Sequence, residues 1–309
     1  MKGSTFVTSA MVIGEALVDV IRGPEGDLTV PGGSPLNVAV GLARLGVPTH
    51  LIAELGDDAN GWLVRDHLAK SGVLTGRIAV DSAGTSVATA TIGSDGSATY
   101  EFDIRWAIET PEVEDPALLH VGSVGSWLEP GAASVIAAVR ARSESTVASF
   151  DPNIRPALGG DRASVLRRVD DLAGVVDILK LSDEDAAWIL PDATPIDTGR
   201  HFLARGVRLF AMTLGSEGSV IMSADHVVRI PAAAVAVVDT VGAGDAYMSG
   251  LLFSLASSEL LARIGALGTD DLRELGATAT ASAAITVSRA GADPPQRTEL
   301  EANCRGGSA

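Results

Sequence analysis

Short apolar runs, several of them closed by glycine, alternate along the chain with longer stretches of helical periodicity. Residues 11–14 (Met-Val-Ile-Gly) read as a buried strand ended by glycine. Ser34-Pro35 marks a helix start, with Ser placed to cap and Pro suited to the first turn; the helix runs over 36–45 and stops at Gly46. A strand at 49–55 and a helix at 61–70, closed by Gly72, follow. Between 85 and 102 the period shortens to two around Ser94-Asp95-Gly96, which predicts a hairpin protruding from the body. From 118 onward the alternation is regular, with strands at 118–121, 146–150, 178–181 and 209–213 and helices at 132–141, 163–172, 183–190 and 199–204. That pattern predicts right-handed βαβ units and a parallel sheet. Two shorter strands (219–222, 227–230) then precede helices at 245–256 and 271–287. No repeat, low-complexity tract or linker interrupts the sequence. The expected fold is α/β, one domain over 1–309 with a central, mostly parallel sheet flanked by helices and a small β lid from about 15–32 and 85–105.

Composition narrows the partners. The 309 residues are 46% hydrophobic but only 4% aromatic, which suits a parallel sheet under small-residue helices better than a β-sandwich. With 23 basic and 39 acidic side chains the net charge is −16, a surface that repels nucleic acid and anionic membranes. One anionic substrate stays possible, because a helix N-terminus and a metal ion create a local positive field. Cys304 is the single cysteine, so no disulfide can form within the chain. The apolar stretch after Lys2 is interrupted by Thr5, Thr8 and Ser9 and closed by Glu15 and Asp19, unlike a signal peptide. Apolar runs such as 251–256 are too short to span a bilayer. A soluble, cytoplasmic protein is the expectation.

Ligands of open parallel sheets bind beyond the carboxyl ends of the strands. That rule directs attention to Asp19, Gly32-Gly33, Asp151, Ser182, Gly215 and the Gly242 loop. In Asp239-Thr240-Val241-Gly242-Ala243-Gly244-Asp245, small residues let backbone N–H groups converge on an anion at the start of an apolar helix. A carboxylate beside an anion makes sense if Asp245 takes a proton from an attacking hydroxyl; otherwise Asp245 caps its helix. In Pro31-Gly32-Gly33-Ser34-Pro35-Leu36-Asn37, glycines permit close approach and Asn37 can both donate to and accept from a hydroxyl, or the segment is a plain turn. In Phe150-Asp151-Pro152-Asn153-Ile154-Arg155, Arg155 either clamps a phosphoryl group or pairs with a surface carboxylate.

Taken together these segments resemble the ribokinase (PfkB) family of sugar kinases over nearly the whole chain and in the right order. The Gly32 cluster, continued through Ala39, Gly46 and Gly56, is similar to the family's amino-terminal signature, and 239–252 to its carboxy-terminal one. Gly14-Glu15-Ala16-Leu17-Val18-Asp19 and Asp151 to Arg155 resemble fructokinases, and Thr213-Leu214-Gly215-Ser216-Glu217-Gly218 resembles a nucleotide-binding turn. The resemblance implies a ribokinase-like fold and transfer of the γ-phosphoryl of ATP, with Mg2+, to a primary sugar hydroxyl. It implies Asp245 as base and Gly242, Ala243 and Gly244 as an anion hole, with Arg155 at the transferring phosphoryl. Asp19, Gly32, Gly33, Asn37, Asn153 and Arg105 would hold the sugar. Ser182, Thr213, Gly215, Gly218, Ala284 and Ser288 would line the nucleotide site. Asp239 would hold a monovalent cation such as K+.

Ser182 and Asp185 stand where many members have Asn and Glu; Asp185 would reach magnesium through water. Fructose is the first substrate expected, ahead of 2-dehydro-3-deoxygluconate, whose acid group Arg105 would meet, and of ribose or nucleosides. A catalytically silent sugar-binding regulator and a non-kinase enzyme binding a sugar phosphate are the readings from other classes. A homodimer through the lid, with Val87, Thr89 and Thr91 on the packing face, is also expected. No P-loop, dinucleotide fingerprint, nucleophile elbow or His-Glu-x-x-His occurs, and the five histidines (His50, His67, His120, His201, His226) are scattered.

Overall fold

The computed structural model describes residues 8–23, 26–92, 98–158 and 161–306. The turn at Ser94-Asp95-Gly96 lies outside them. The chain passes through β1 (Ala10–Ile13), β2 (Leu17–Gly23), β3 (Gly26–Gly32) and α1 (Ser34–Arg44). Next come β4 (Thr49–Ile52), β5 (Glu54–Gly56), α2 (Ala59–Lys70), β6 (Ala79–Asp81), β7 (Val87–Ile92) and β8 (Ala98–Asp103). The regular alternation follows, with β9 (Leu118–Gly122), α3 (Gly131–Ala141), β10 (Val147–Asp151), α4 (Arg162–Ala173), β11 (Ile178–Ser182), α5 (Asp183–Ile189), α6 (Pro195–Leu203) and β12 (Leu209–Thr213). Last are β13 (Ser219–Met222), β14 (Val227–Ile230), α7 (Ala243–Ala256), α8 (Thr269–Val287) and α9 (Arg297–Gly306).

The expected parallel sheet is present. Its order is β14-β13-β12-β11-β10-β9-β1-β4, parallel from β12 to β4, with β13 and β14 antiparallel at one edge. The parallel strands are almost wholly apolar because helices cover both faces. Val12, Leu118, Ile178 and Leu209 pack toward α1, α7 and α8. Ile13, Val121, Phe150 and Leu179 pack toward α3, α4, α5 and α6.

A four-stranded sheet, β3-β2-β7-β8, carries both predicted lid segments, with β2 and β7 parallel (Val18 beside Val87). The dimer expectation placed Val87, Thr89 and Thr91 on its open side. Here a correction is needed, because Thr89 is buried and Val87 packs against the body's core. Exposed Ile21, Leu28 and Tyr100 lie on the opposite side, which they share with Asp19 through cross-strand register.

Two further expectations change. The strand at 49–55 breaks at Ala53, and β5 pairs with β6 in a sheet of its own. Helix α2 starts earlier than glycine spacing suggests because Asp58 caps it, accepting from the Gly61 amide at 2.7 Å. The same carboxylate accepts from the Thr85 amide at 2.8 Å, pinning the chain where it enters β7.

Candidate active site

Small residues on two helices build the centre of the site. A Cβ on Gly41 of α1 would fall 2.3 Å from Ser249 Oγ of α7, so the helices approach as closely as glycine allows. Asn37 and Asp245 lie one turn before that contact, on the same faces. The crossing therefore brings Asn37 Nδ2 to 2.8 Å from Asp245 Oδ2. Ser34 Oγ donates to Asp245 Oδ1 at 2.6 Å. Sequence reasoning made Ser34 a cap; instead Gly33, with φ 108, takes the cap position of α1, and the serine hydroxyl crosses to Asp245. Asp245 is the third residue of α7 and 7% exposed. Each of its oxygens accepts one protein donor, and each has a second lone pair left.

The Asp245 carboxylate does not cap α7. Gly242, at φ 74, occupies that position, and a side chain there would meet Ala292 at 2.6 Å. The Ala243 amide bonds Thr240 O at 3.2 Å, so of the three expected anion-hole residues it is already engaged. The Gly244 and Asp245 amides lie in the first turn, where a helix offers them no carbonyl. Asp239 accepts from the amides of Val241 (3.0 Å) and Gly291 (2.8 Å), and these bonds hold its carboxyl below the usual range.

On the lid side, Asp19 of β2 faces Gly32 so closely that a Cβ on Gly32 would sit 2.0 Å from Asp19 Oδ2. Burial pushes the Asp19 carboxyl up, against the opposing field of the Arg155 guanidinium. Arg155 has no carboxylate within ion-pair distance among the described residues; its Nη1 donates to the carbonyl of Ile154 at 3.2 Å. Asn153 precedes it with φ 39, a left-handed turn that ends β10. Arg105 is not brought to this group. Its guanidinium holds the Ala83 carbonyl and Asp103.

Asp185 is the third residue of α5 and makes a capping box with Ser182. Its Oδ2 accepts from Ser182 Oγ (2.7 Å) and Oδ1 from the Ile154 amide (2.7 Å), tying α5 to the Asn153–Arg155 turn. Thr213 ends β12, and Gly215 (φ 54) and Gly218 (φ 92) shape the turn to β13. Ala284 is buried in α8 and Ser288 exposed at its end, where the Val287 carbonyl accepts from the Val238 amide. The exposed 231–238 segment therefore runs beside the end of α8, toward the Gly242 turn.

Two buried groups escaped the sequence reading of roles. Glu15 is 3% exposed, and its Oε2 accepts from the Gly125 amide at 2.8 Å. Burial lifts its carboxyl to about 7, against hydrogen bonds from Ser123 and Gly125. Lys180 lies in the apolar strand β11, and its Nζ donates to Asp151 at 2.7 Å. A lysine within Ile-Leu-Lys-Leu was itself the signal, since such a cation must find a buried partner.

Among known proteins, a fructokinase of Klebsiella pneumoniae is 35% identical over 270 residues, 84% of this chain and 88% of the relative. The structure of a fructokinase from Vibrio cholerae O395 in fructose, ADP and calcium ion bound form superposes with a TM-score of 0.82 at 25% identity, covering 97% of this chain and 98% of that one. Aminoimidazole riboside kinase from Salmonella enterica, complexed with aminoimidazole riboside and an ATP analog, gives 0.82 at 26%, covering 96% and 99%. The family model of pfkB family carbohydrate kinases matches residues 7–299, so it spans the Gly32 cluster, the lid strands and the Gly242 turn alike. The chain belongs to that family of carbohydrate kinases.

Proposed function

We propose that the protein transfers the γ-phosphoryl group of ATP to a primary hydroxyl of a neutral ketohexose, with fructose first. The observation that carries this is the Asp245 carboxylate, held by Ser34 and Asn37 on the first turn of α7 beside the unpartnered Gly244 amide. The sugar oxygen attacks the γ-phosphorus, the bond to the β–γ bridging oxygen breaks, and ADP leaves with that electron pair. Asp245 takes the hydroxyl proton, and the Gly244 and Asp245 amides meet the charge on the migrating group. Asp19, Gly33 and Asn37 hold sugar hydroxyls, while Arg155 faces the transferring group from the β10 turn. The nucleotide lies across Gly215, Gly218 and the end of α8.

Magnesium enters with the ATP phosphates. Among the described residues no cluster of three His, Cys, Asp or Glu side chains could hold a metal unaided, and magnesium characteristically binds through phosphate and water. Asp185 would reach it only through water, its oxygens being committed to Ser182 and Ile154. Asp239, kept charged by its two amides, is the carboxylate for a monovalent cation, and activation by K+ over Na+ would support that site. The acidic surface and the lone cysteine fit an enzyme of the cytoplasm.

The lid supports the neutral sugar. Arg105, the cation that an acid substrate would need, is turned to Ala83 and Asp103. In an ADP-release assay over ketohexoses, keto-deoxy sugar acids, ribose and ribosides, fructose is expected to show the highest kcat/KM. A higher value for an acid or a riboside would replace fructose as the substrate, and no ADP release with any of them would remove the kinase reading.

Two lids are proposed to pack through Ile21, Leu28 and Tyr100, making a homodimer. Light scattering should give the dimer mass, and Leu28→Glu the monomer. A wild-type monomer at every concentration would refute it.

A further inference from the structure

Beneath the Gly244 turn lies a buried ion pair that the reaction just described leaves unused. Lys180 is 4% exposed and Asp151 1%, with Nζ to Oδ2 at 2.7 Å. In the register of β10 against β11, Ser149 lies beside Ile178 and Phe150 beside Leu179, which puts Asp151 alongside Lys180. A Cβ added to Gly244 would sit 2.9 Å from Lys180 Nζ, so the ammonium abuts the backbone of the anion turn. Burial opposes the charge on Lys180, but Asp151, Asp185 and Asp245 together outweigh it and hold its pKa above the usual lysine value.

Stability alone does not account for this pair. Ion pairs buried in apolar surroundings are often replaceable by hydrophobic residues without loss. Nor is it fully satisfied, since Asp151 Oδ1 is buried without a partner. What the arrangement does supply is sign. The carboxylates of Asp151, Asp185 and Asp245 all act on Lys180, which is the cation set among them beside the Gly244 turn.

Resting on the kinase reading, we propose that Lys180, fixed by Asp151, is a positioning residue for phosphoryl transfer: its ammonium backs the Gly244 amide and offsets charge developing on the migrating group. Glycine at 244 is then required for the ammonium to approach, which links the anion turn to β11.

The test separates this role from a structural one. Lys180→Met leaves Asp151 unpaired and should lose both stability and turnover. Lys180→Met with Asp151→Asn removes both charges and should recover the melting temperature. Its kcat should nevertheless stay about 10²-fold below wild type, the usual cost of losing one charge-stabilising group, with sugar Kd changed by less than about threefold. Affinity for MgADP with fluoroaluminate and fructose should fall by a similar factor, while affinity for MgADP alone holds. Lys180→Arg should retain part of the rate. A stable double variant with wild-type kcat and fluoroaluminate affinity would overturn the proposal alone. Wild-type protein with no sugar-dependent ADP release would overturn the kinase reading and this proposal with it.

Discussion

Asp245→Asn is expected to fold normally, bind fructose nearly as well as wild type and lose most of its turnover. Asparagine keeps the shape of aspartate, and its carbonyl oxygen can still accept from Ser34 or Asn37, the two donors that fix Asp245. It cannot take a proton. A positioned general base contributes typically 10²–10⁴-fold, so kcat should fall by about that factor, on the order of 3–5 kcal/mol of barrier. Because Gly242 rather than Asp245 sits at the helix cap, α7 loses no cap in the variant. A melting temperature near wild type is therefore part of the prediction, and a kcat within about threefold of wild type would take Asp245 out of the mechanism.

Glu15 gives the second large effect, on stability rather than rate. Its folded pKa, about 7, lies above the unfolded value of 4.5. Between those values the native state binds a proton that the unfolded chain has released, so stability falls as pH rises through the window. Glu15→Gln keeps an acceptor for the Gly125 amide and removes the titration. The stability of Glu15→Gln relative to wild type should therefore increase from pH 5 to pH 8, by about 2–3 kcal/mol at 1.36 kcal/mol per pKa unit. Asp19 and Asp151, also raised by burial, titrate in both proteins and cancel in the difference. Denaturant unfolding at the two pH values measures it. A difference that does not change with pH would mean that Glu15 is ionised throughout.

The periodicity of strands and helices was legible because both sheet faces are covered, so β9 to β12 read as apolar runs between amphipathic segments. What escaped was long-range. Ser34 before Pro35 carries every local mark of a cap, but its partner Asp245 is 211 residues away. The hairpin strand β7 alternates as expected, yet alternation does not say which face the body covers; Thr89 is inside and Tyr100 outside. The bonds of Asp185 to Ser182 and to the Ile154 amide tie α5 to a turn some thirty residues earlier, which spacing along the chain does not show. Lys180 and Glu15 could have been questioned from sequence, as charges within or beside apolar strands. Their partners, Asp151 and the Gly125 amide, come from other strand ends that only the sheet order brings near. Trp106 gave no sign of its place either: it is buried against Gly131 and its indole N–H donates to the Gly125 carbonyl at 2.8 Å.

The central claim is that a phosphoryl group moves from ATP to a sugar hydroxyl on this protein. Purified enzyme, MgATP and fructose followed together by ADP release and phosphorus NMR test it most directly. The account predicts one new phosphomonoester, its phosphorus coupled to the two protons of a primary carbon and formed in step with ADP. ADP formed at the same rate without sugar, or no phosphomonoester at all, would contradict it.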